Sequence, residues 1–268
     1  MTDISGPGLS VPSRLGVAAR FEDGQLILEL RTQRETLHHG IVRASVLSFV
    51  IDVVAGIPLD RDPGVWTLTS DMSVRMRPVP APERIDATST ILRQGRRSAT
   101  SLVELRTDRG APIATGAIGF VNIPRRATDP PKPNVPLGQI PAIFRHPGTL
   151  ARPLREEAGI EVLDAAEGVV QVEVTPDLRN PAGTLQGAMV ALFAEAAAEE
   201  LASARFDVDA VVTELDLRYL AQTGEGPVQS VCTLLGDGPD APIQVELSDR
   251  SSGRLTTLAY ARTATIPT

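Results

Sequence analysis

The sequence predicts an α+β protein built from two similar units, each a long helix wrapped by an antiparallel sheet. Three observations carry this: the chain repeats itself, each copy has one long apolar helix with a single acid in its middle, and each helix is followed by stretches of alternating polarity.

The repeat comes first, because a missed repeat misreads the whole fold. The stretch LHHGIVRASVLSFVIDVVAGI (37–57) aligns without a gap on NPAGTLQGAMVALFAEAAAEE (180–200) at an offset of 143 positions. Gly40 falls on Gly183, Arg43 on Gln186 and Asp52 on Glu195. The same offset carries SDMSVRM (70–76) onto TELDLRY (213–219). Few residues are identical, but the acid and the strands that follow keep register, which reads as a duplication.

Between the copies, residues 124–153 hold 8 of the 22 prolines. That density is incompatible with a long helix or a central strand, so a semi-extended connector is expected. The chain therefore divides into an N-terminal domain (1–124), a Pro-rich linker (125–157) and a C-terminal domain (158–268).

Each helix is apolar nearly all round and must be buried. Period-two alternation with β-branched residues marks the strands. The opening strands are GQLILELRT (24–32) and GVVQVEVTP (168–176). After the first helix come VWTLTSDMSVRM, RIDATSTILRQ, SATSLVELRTD and PIATGAIGFVNI. After the second come AVVTELDLRYL, PVQSVCTLLG, IQVELSD and RLTTLAYARTATI. One helix followed by a run of antiparallel strands is an α+β arrangement.

Composition narrows the function. The 268 residues, 42% hydrophobic and 22% charged, suit a globular protein. A net charge of −7 argues against a nucleic-acid partner. No apolar run approaches the roughly 20 residues that span a bilayer, and the N-terminal MTDISGPGLSVPSRLG lacks a signal or transit layout, so a cytoplasmic setting without membrane contact is expected. One cysteine, Cys232, excludes an internal disulfide framework and a multi-cysteine metal site, and three histidines leave little material for a His-rich one.

The acids Asp52 and Glu195 lie within apolar helices, where an unpaired carboxylate costs several kcal/mol. Two copies keeping an acid at one register point to use of the charge. Ahead of the second helix, Asn180-Pro181 starts a turn, Gly183 permits tight geometry and Gln186-Gly187-Ala188 open the helix. First-turn amides have no intrahelical partner and carry the positive end of the dipole, so the Gly187 amide can polarise a carbonyl oxygen. A carboxyl with a raised pKa can then activate water against that carbonyl.

These residues resemble the hotdog-fold acyl-CoA thioesterases of the phenylacetyl-CoA thioesterase type. The family pattern is Asn, Gly, then His-Gly-Gly at the helix start and an acid nine residues after the His. Here Asn180, Gly183, Gln186-Gly187-Ala188 and Glu195 keep the spacing with Gln for His and Ala for the second Gly. The first copy keeps it as Gly40, Arg43-Ala44-Ser45 and Asp52, with Leu37 in place of the Asn. The resemblance covers roughly 20–124 and 158–268 and implies tandem hotdog domains forming an internal pseudo-dimer with a site at each end of the interface. One site would combine Asp52 with Asn180, Gln186 and Gly187, and the other Glu195 with Leu37, Arg43 and Ala44.

The first keeps its Asn and Gly and is expected to be the working one. A family hydroxyl on the strand after the helix falls at Thr69, with Ser70 as the register alternative. Gly183, Ala188, Ser70, His39 and Arg43 are the expected substrate-binding residues. The implied substrate is an acyl-CoA, with no cofactor beyond that coenzyme A, and the implied assembly is a homodimer of double units. Two alternatives stay open: a hydratase or dehydratase of enoyl-CoA using His38 or His39, and an acyl-CoA-binding protein without turnover. His38 and His39 otherwise read as solvent-facing loop residues. Arg75, Arg77, Arg93, Arg96 and Arg97 meet CoA phosphates or form a solvated sheet face. Cys232 reads as core, and Trp66 as packing at the helix–sheet junction or lining an acyl tunnel.

Overall fold

In a computed structural model, residues 10–129, 131–132 and 135–266 are described. Residues 1–9 of the N-terminal stretch and positions 130, 133 and 134 of the connector lie outside that set. The first half contains β1 (Val17–Glu22), β2 (Gln25–Arg31), a short hairpin of β3 (Leu37–His38) and β4 (Ile41–Val42), and α1 (Ala44–Leu59). It continues with β5 (Val65–Met76), β6 (Arg84–Gln94), β7 (Ser98–Thr107) and β8 (Pro112–Pro124). Two single-turn helices follow, α2 (Ile140–Ile143) and α3 (Leu154–Glu157). The second half has β9 (Glu161–Asp164), β10 (Val169–Val172), α4 (Gly187–Phe206), β11 (Ala210–Tyr219), β12 (Val228–Leu234), β13 (Ile243–Asp249) and β14 (Arg254–Thr265).

Twelve of these strands form one antiparallel sheet in the order β1-β2-β6-β7-β8-β5-β11-β14-β13-β12-β10-β9. Its centre is the β5–β11 pair, where Asp216 lies opposite Ser73, Glu214 opposite Arg75 and Arg218 opposite Asp71. Under the offset of 143 these pairs exchange with one another, and Ser73–Asp216 maps onto itself. A pseudo-two-fold axis therefore passes through that pair. α1 packs on β2 and β5–β8, α4 on β10–β14, and the helices touch each other.

The alternation behaves as expected on β7, where Ala99, Ser101, Val103 and Leu105 are buried while Leu102, Glu104 and Arg106 face out. On β8, Gly116 faces Ile51 of α1, where an added Cβ would stand 2.5 Å from Ile51 Cδ1. α1 is rich in β-branched residues, which are poor helix formers, so its stability comes from burial and not from propensity. Pro58 sits in its last turn and cannot donate to the Val54 carbonyl. Ser89 Oγ of β6 donates to that carbonyl instead, at 3.0 Å.

Three sequence expectations need correction. β1 and β9 were not foreseen. They are the edge strands, and β1 joins β2 through a turn in which Asp23 and Gly24 both have positive φ (49° and 79°). The strand expected over 168–176 stops at Val172, because Pro176 opens a 3-10 turn. The connector is not wholly extended, since α2 and α3 form within it. It is strapped across the first half: Lys132 Nζ meets Asp60 at 2.6 Å and the Asp62 and Val65 carbonyls at 2.7 Å. Trp66 belongs to this strap, donating Nε1–H to Asp129 at 3.2 Å beneath Arg125 and Lys132. No helix among the described residues is long and apolar enough to cross a membrane.

Candidate active site

The two helix starts are capped differently. α1 has no side-chain cap of its own from Arg43. Glu195 of α4 supplies one: its Oε1 accepts the Ala44 amide at 2.7 Å, and Ser45 Oγ donates to Oε2. A carboxylate at the positive end of a helix is favoured by the dipole. Glu199, one turn on, is also buried and is bound by Arg43 Nη1 at 2.7 Å, while Glu195 stands 3.7 Å from the same guanidinium. Relative exposures of 1% for Glu195, 2% for Glu199 and 6% for Arg43 make this a closed cluster of two acids and one base. Burial, and then the like charge of Glu199, push Glu195 up to about 7 against the pull of Arg43.

α4 caps itself. Gln186 Oε1 accepts from Ala188 N at 2.7 Å and Met189 N at 3.2 Å. Among the described residues, the Gly187 amide donates to no acceptor. On α1, Asp52 is half-buried and accepts from Thr69 Oγ1 at 2.5 Å. Burial raises its pKa and the Thr69 hydrogen bond partly offsets the shift. The Thr69 equivalent in the other half is the buried Val212, so this strand hydroxyl has no counterpart there.

The structure thus brings together Asp52 and Thr69 on one side, and Glu195, Arg43, Ala44 and Ser45 on the other. Several expected roles change. Ser70 donates to Asp71 at 2.7 Å, at a bulge in β5, so Thr69 is the hydroxyl that meets the acid. Asn180 turns its carboxamide on Thr184, donating to Oγ1 at 3.0 Å and accepting the amide at 3.2 Å, so it shapes the loop. Gly183, at φ +83°, supplies the left-handed turn of that loop. Gln186 spends its oxygen on the cap, which leaves its amide N–H for a ligand. Ala188 is fully buried.

Arg43 is held by the two acids and is not exposed to a ligand. His39 is the φ +48° residue of the β3–β4 turn and lies 3.6 Å from Asp209. His38 is the one that reaches the acids, 3.5 Å from Glu199, and burial lowers its pKa to about 4, so it is neutral. Arg75 pairs with Asp216 and Glu214, and Arg93, Arg96 and Arg97 are exposed at the β6–β7 turn. Cys232 is half-buried against the Gly168 carbonyl, with its thiol pushed up to about 12 by burial. Among the described residues, no group of three or more His, Cys, Asp and Glu side chains could hold a metal ion.

Sequence reasoning missed three participants. Glu199 was signalled by its i+4 spacing from Glu195, and Ser45 by its place at the helix start. Tyr219 had no sequence signal: its hydroxyl donates to the Gly187 carbonyl at 3.0 Å, and burial together with the charge of Asp52 raises its pKa.

Comparison by sequence finds no matching family model and no matching curated protein. Solved structures do match. A tesB protein from Mycobacterium avium subspecies paratuberculosis superposes with a TM-score of 0.64 at 14% identity, over 96% of this chain and 98% of that one. A conserved protein of unknown function with a hot dog fold from Alicyclobacillus acidocaldarius gives 0.62 at 14%, over 96% and 98%. A 12:0-ACP thioesterase from Umbellularia californica gives 0.61 at 9%, over 90% and 97%. The chain has the hotdog fold along nearly its whole length.

Proposed function

We propose that this chain hydrolyses acyl thioesters at a single site between α1 and the start of α4. Two tandem hotdog units, 1–124 and 158–268 joined by the linker 125–157, form the internal pseudo-dimer on which that site depends. The name of one structurally similar protein, a 12:0-ACP thioesterase, supports the same chemistry. Coenzyme A is the proposed acyl carrier, the setting is cytoplasmic and no further cofactor is needed, since hydrolysis consumes only water.

The observation that carries the reading is that Glu195 reaches the Ala44 amide at 2.7 Å; the offset of 143 relates Glu195 to Asp52 and Ala44 to Gly187, and by that symmetry Asp52 is proposed to face the Gly187 amide. Aspartate is one methylene shorter than glutamate, and Thr69 draws its carboxylate toward β5. The Glu195 end is therefore closed by its own acid, while the Asp52 end keeps a helix amide without a protein acceptor. A thioester carbonyl oxygen seated on that amide is polarised where negative charge develops. Asp52, its proton affinity raised by burial, accepts a proton from the attacking water, and the tetrahedral intermediate then expels the thiol. Thr69 orients the carboxylate, and the Gln186 amide N–H is available to substrate or water.

Thiol release from short, medium and aromatic acyl-CoAs tests this. Asp52→Asn is expected to lower kcat by about 10²–10⁴-fold, whereas Glu195→Gln keeps near wild-type turnover. Loss in Glu195→Gln alone would reverse the assignment. Saturable acyl-CoA binding with no release from any form would replace hydrolysis by binding.

A further inference from the structure

Tyr219 ends β11 beside the start of α4, and its counterpart at the same offset is Met76, which has no donor. Its hydroxyl donates to the Gly187 carbonyl at 3.0 Å, and its ring packs on Gly187, where a Cβ would stand 3.5 Å from the hydroxyl oxygen. The Gly187 carbonyl and the Ala188 N–H are the two ends of one peptide plane. The Ala188 end is held by Gln186 Oε1 at 2.7 Å. That plane is therefore pinned at both ends, and the next peptide back along the chain carries the Gly187 N–H.

The peptide that carries the Gly187 N–H is held at its carbonyl end, where Gln186 O accepts from Met189 N at 2.9 Å and Val190 N at 3.1 Å, but the wide backbone freedom of glycine leaves the torsions joining it to the next peptide to be fixed from outside. A donor that stabilises developing charge works only when its direction is set in advance. At the other helix start, Ala44 carries a Cβ and its amide is held by Glu195, so no such device is needed there.

We propose that Tyr219 is a positioning residue: by locking the first peptide of α4 from outside the helix, it aims the Gly187 amide at the carbonyl oxygen of the bound acyl thioester. This rests on the thioesterase reading above. It assigns to β11, through one hydroxyl, the orientation of a group on α4, and it gives the asymmetry of the two ends a second cause besides Thr69.

The test is calorimetric affinity for two non-hydrolysable acyl-CoA analogues, a ketone with CH₂ replacing the thioester sulfur and a thioether lacking the carbonyl. Wild type is expected to prefer the ketone. Tyr219→Phe keeps the ring on Gly187 and is expected to weaken ketone binding about tenfold, leaving thioether binding and the melting temperature unchanged. A Tyr219→Phe protein that keeps the wild-type preference, or loses affinity equally for both analogues, overturns the role of Tyr219 alone. A wild type with no preference for the ketone overturns the thioester reading and this proposal with it. If Tyr219→Phe does not fold, Tyr219→Met, which copies Met76, is measured by the same criteria.

Discussion

Asp52 and Glu195 occupy equivalent positions on α1 and α4, yet one meets a threonine and the other a helix start, a serine and an arginine. The difference has a thermodynamic signature. Glu195 has a folded pKa of about 7 against an ordinary 4.5, so the folded protein holds a proton there that the unfolded chain releases. Stability is then highest below about pH 4.5 as far as this group is concerned, falls as pH rises between 4.5 and 7, and stays low above that. Asp52 adds a slope of the same sign, its pKa being raised by burial. Glutamine at 195 keeps the acceptor for the Ala44 amide and removes the proton linkage. Denaturant midpoints for Glu195→Gln between pH 4.5 and 8 should therefore fall less steeply than those of wild type. An unchanged slope would mean that Glu195 ionises at its ordinary pKa.

At the scale of elements, α1 shows how a helix with poor intrinsic propensity is completed by its surroundings. Its first amide is capped by α4, its middle is buried against β5–β8, and its Pro58 defect is repaired by Ser89. Removing the Ser89 hydroxyl leaves the Val54 carbonyl without a donor, which should cost about 1–3 kcal/mol. Pro58→Ala restores an amide at that position, so the Ser89→Ala penalty should shrink in its presence. A double-mutant cycle by chemical denaturation measures the coupling. Equal penalties in the two backgrounds would show that the hydroxyl does not stand in for the missing amide.

For the whole molecule, the β5–β11 seam makes twelve strands one sheet, and Glu195 of α4 caps the start of α1. Neither half alone has a covered central edge, because β5 and β11 each pair with the other half. Thermal unfolding should accordingly be a single transition with calorimetric and van't Hoff enthalpies equal. Two resolved transitions would show that the halves hold together independently of the seam. The strapped connector favours the single transition, since Lys132 and Gln33 tie it to the first half, with Gln33 accepting the Leu150 amide at 3.0 Å.

The sequence by itself determined the duplication, the two apolar helices with their acids, and ten of the strands. β5, β6 and β13 match the expected stretches end to end. These properties are local: alternation, helical period and a constant offset can all be counted along the chain. The edge strands β1 and β9 escaped because neither shows the alternation of a sheet with one buried face; the four residues of β9 are all exposed. The unequal fates of the two acids were decided by the tertiary structure alone. Glu195 meets Ala44 and Glu199 meets Arg43 across about 150 positions of chain, and Tyr219 reaches Gly187 from another element. Asn180 and Gln186 matched a motif by spacing, yet their hydrogen bonds went to their own loop and helix. Spacing places a side chain near a site, but its partners and its desolvation depend on what the rest of the chain packs against it.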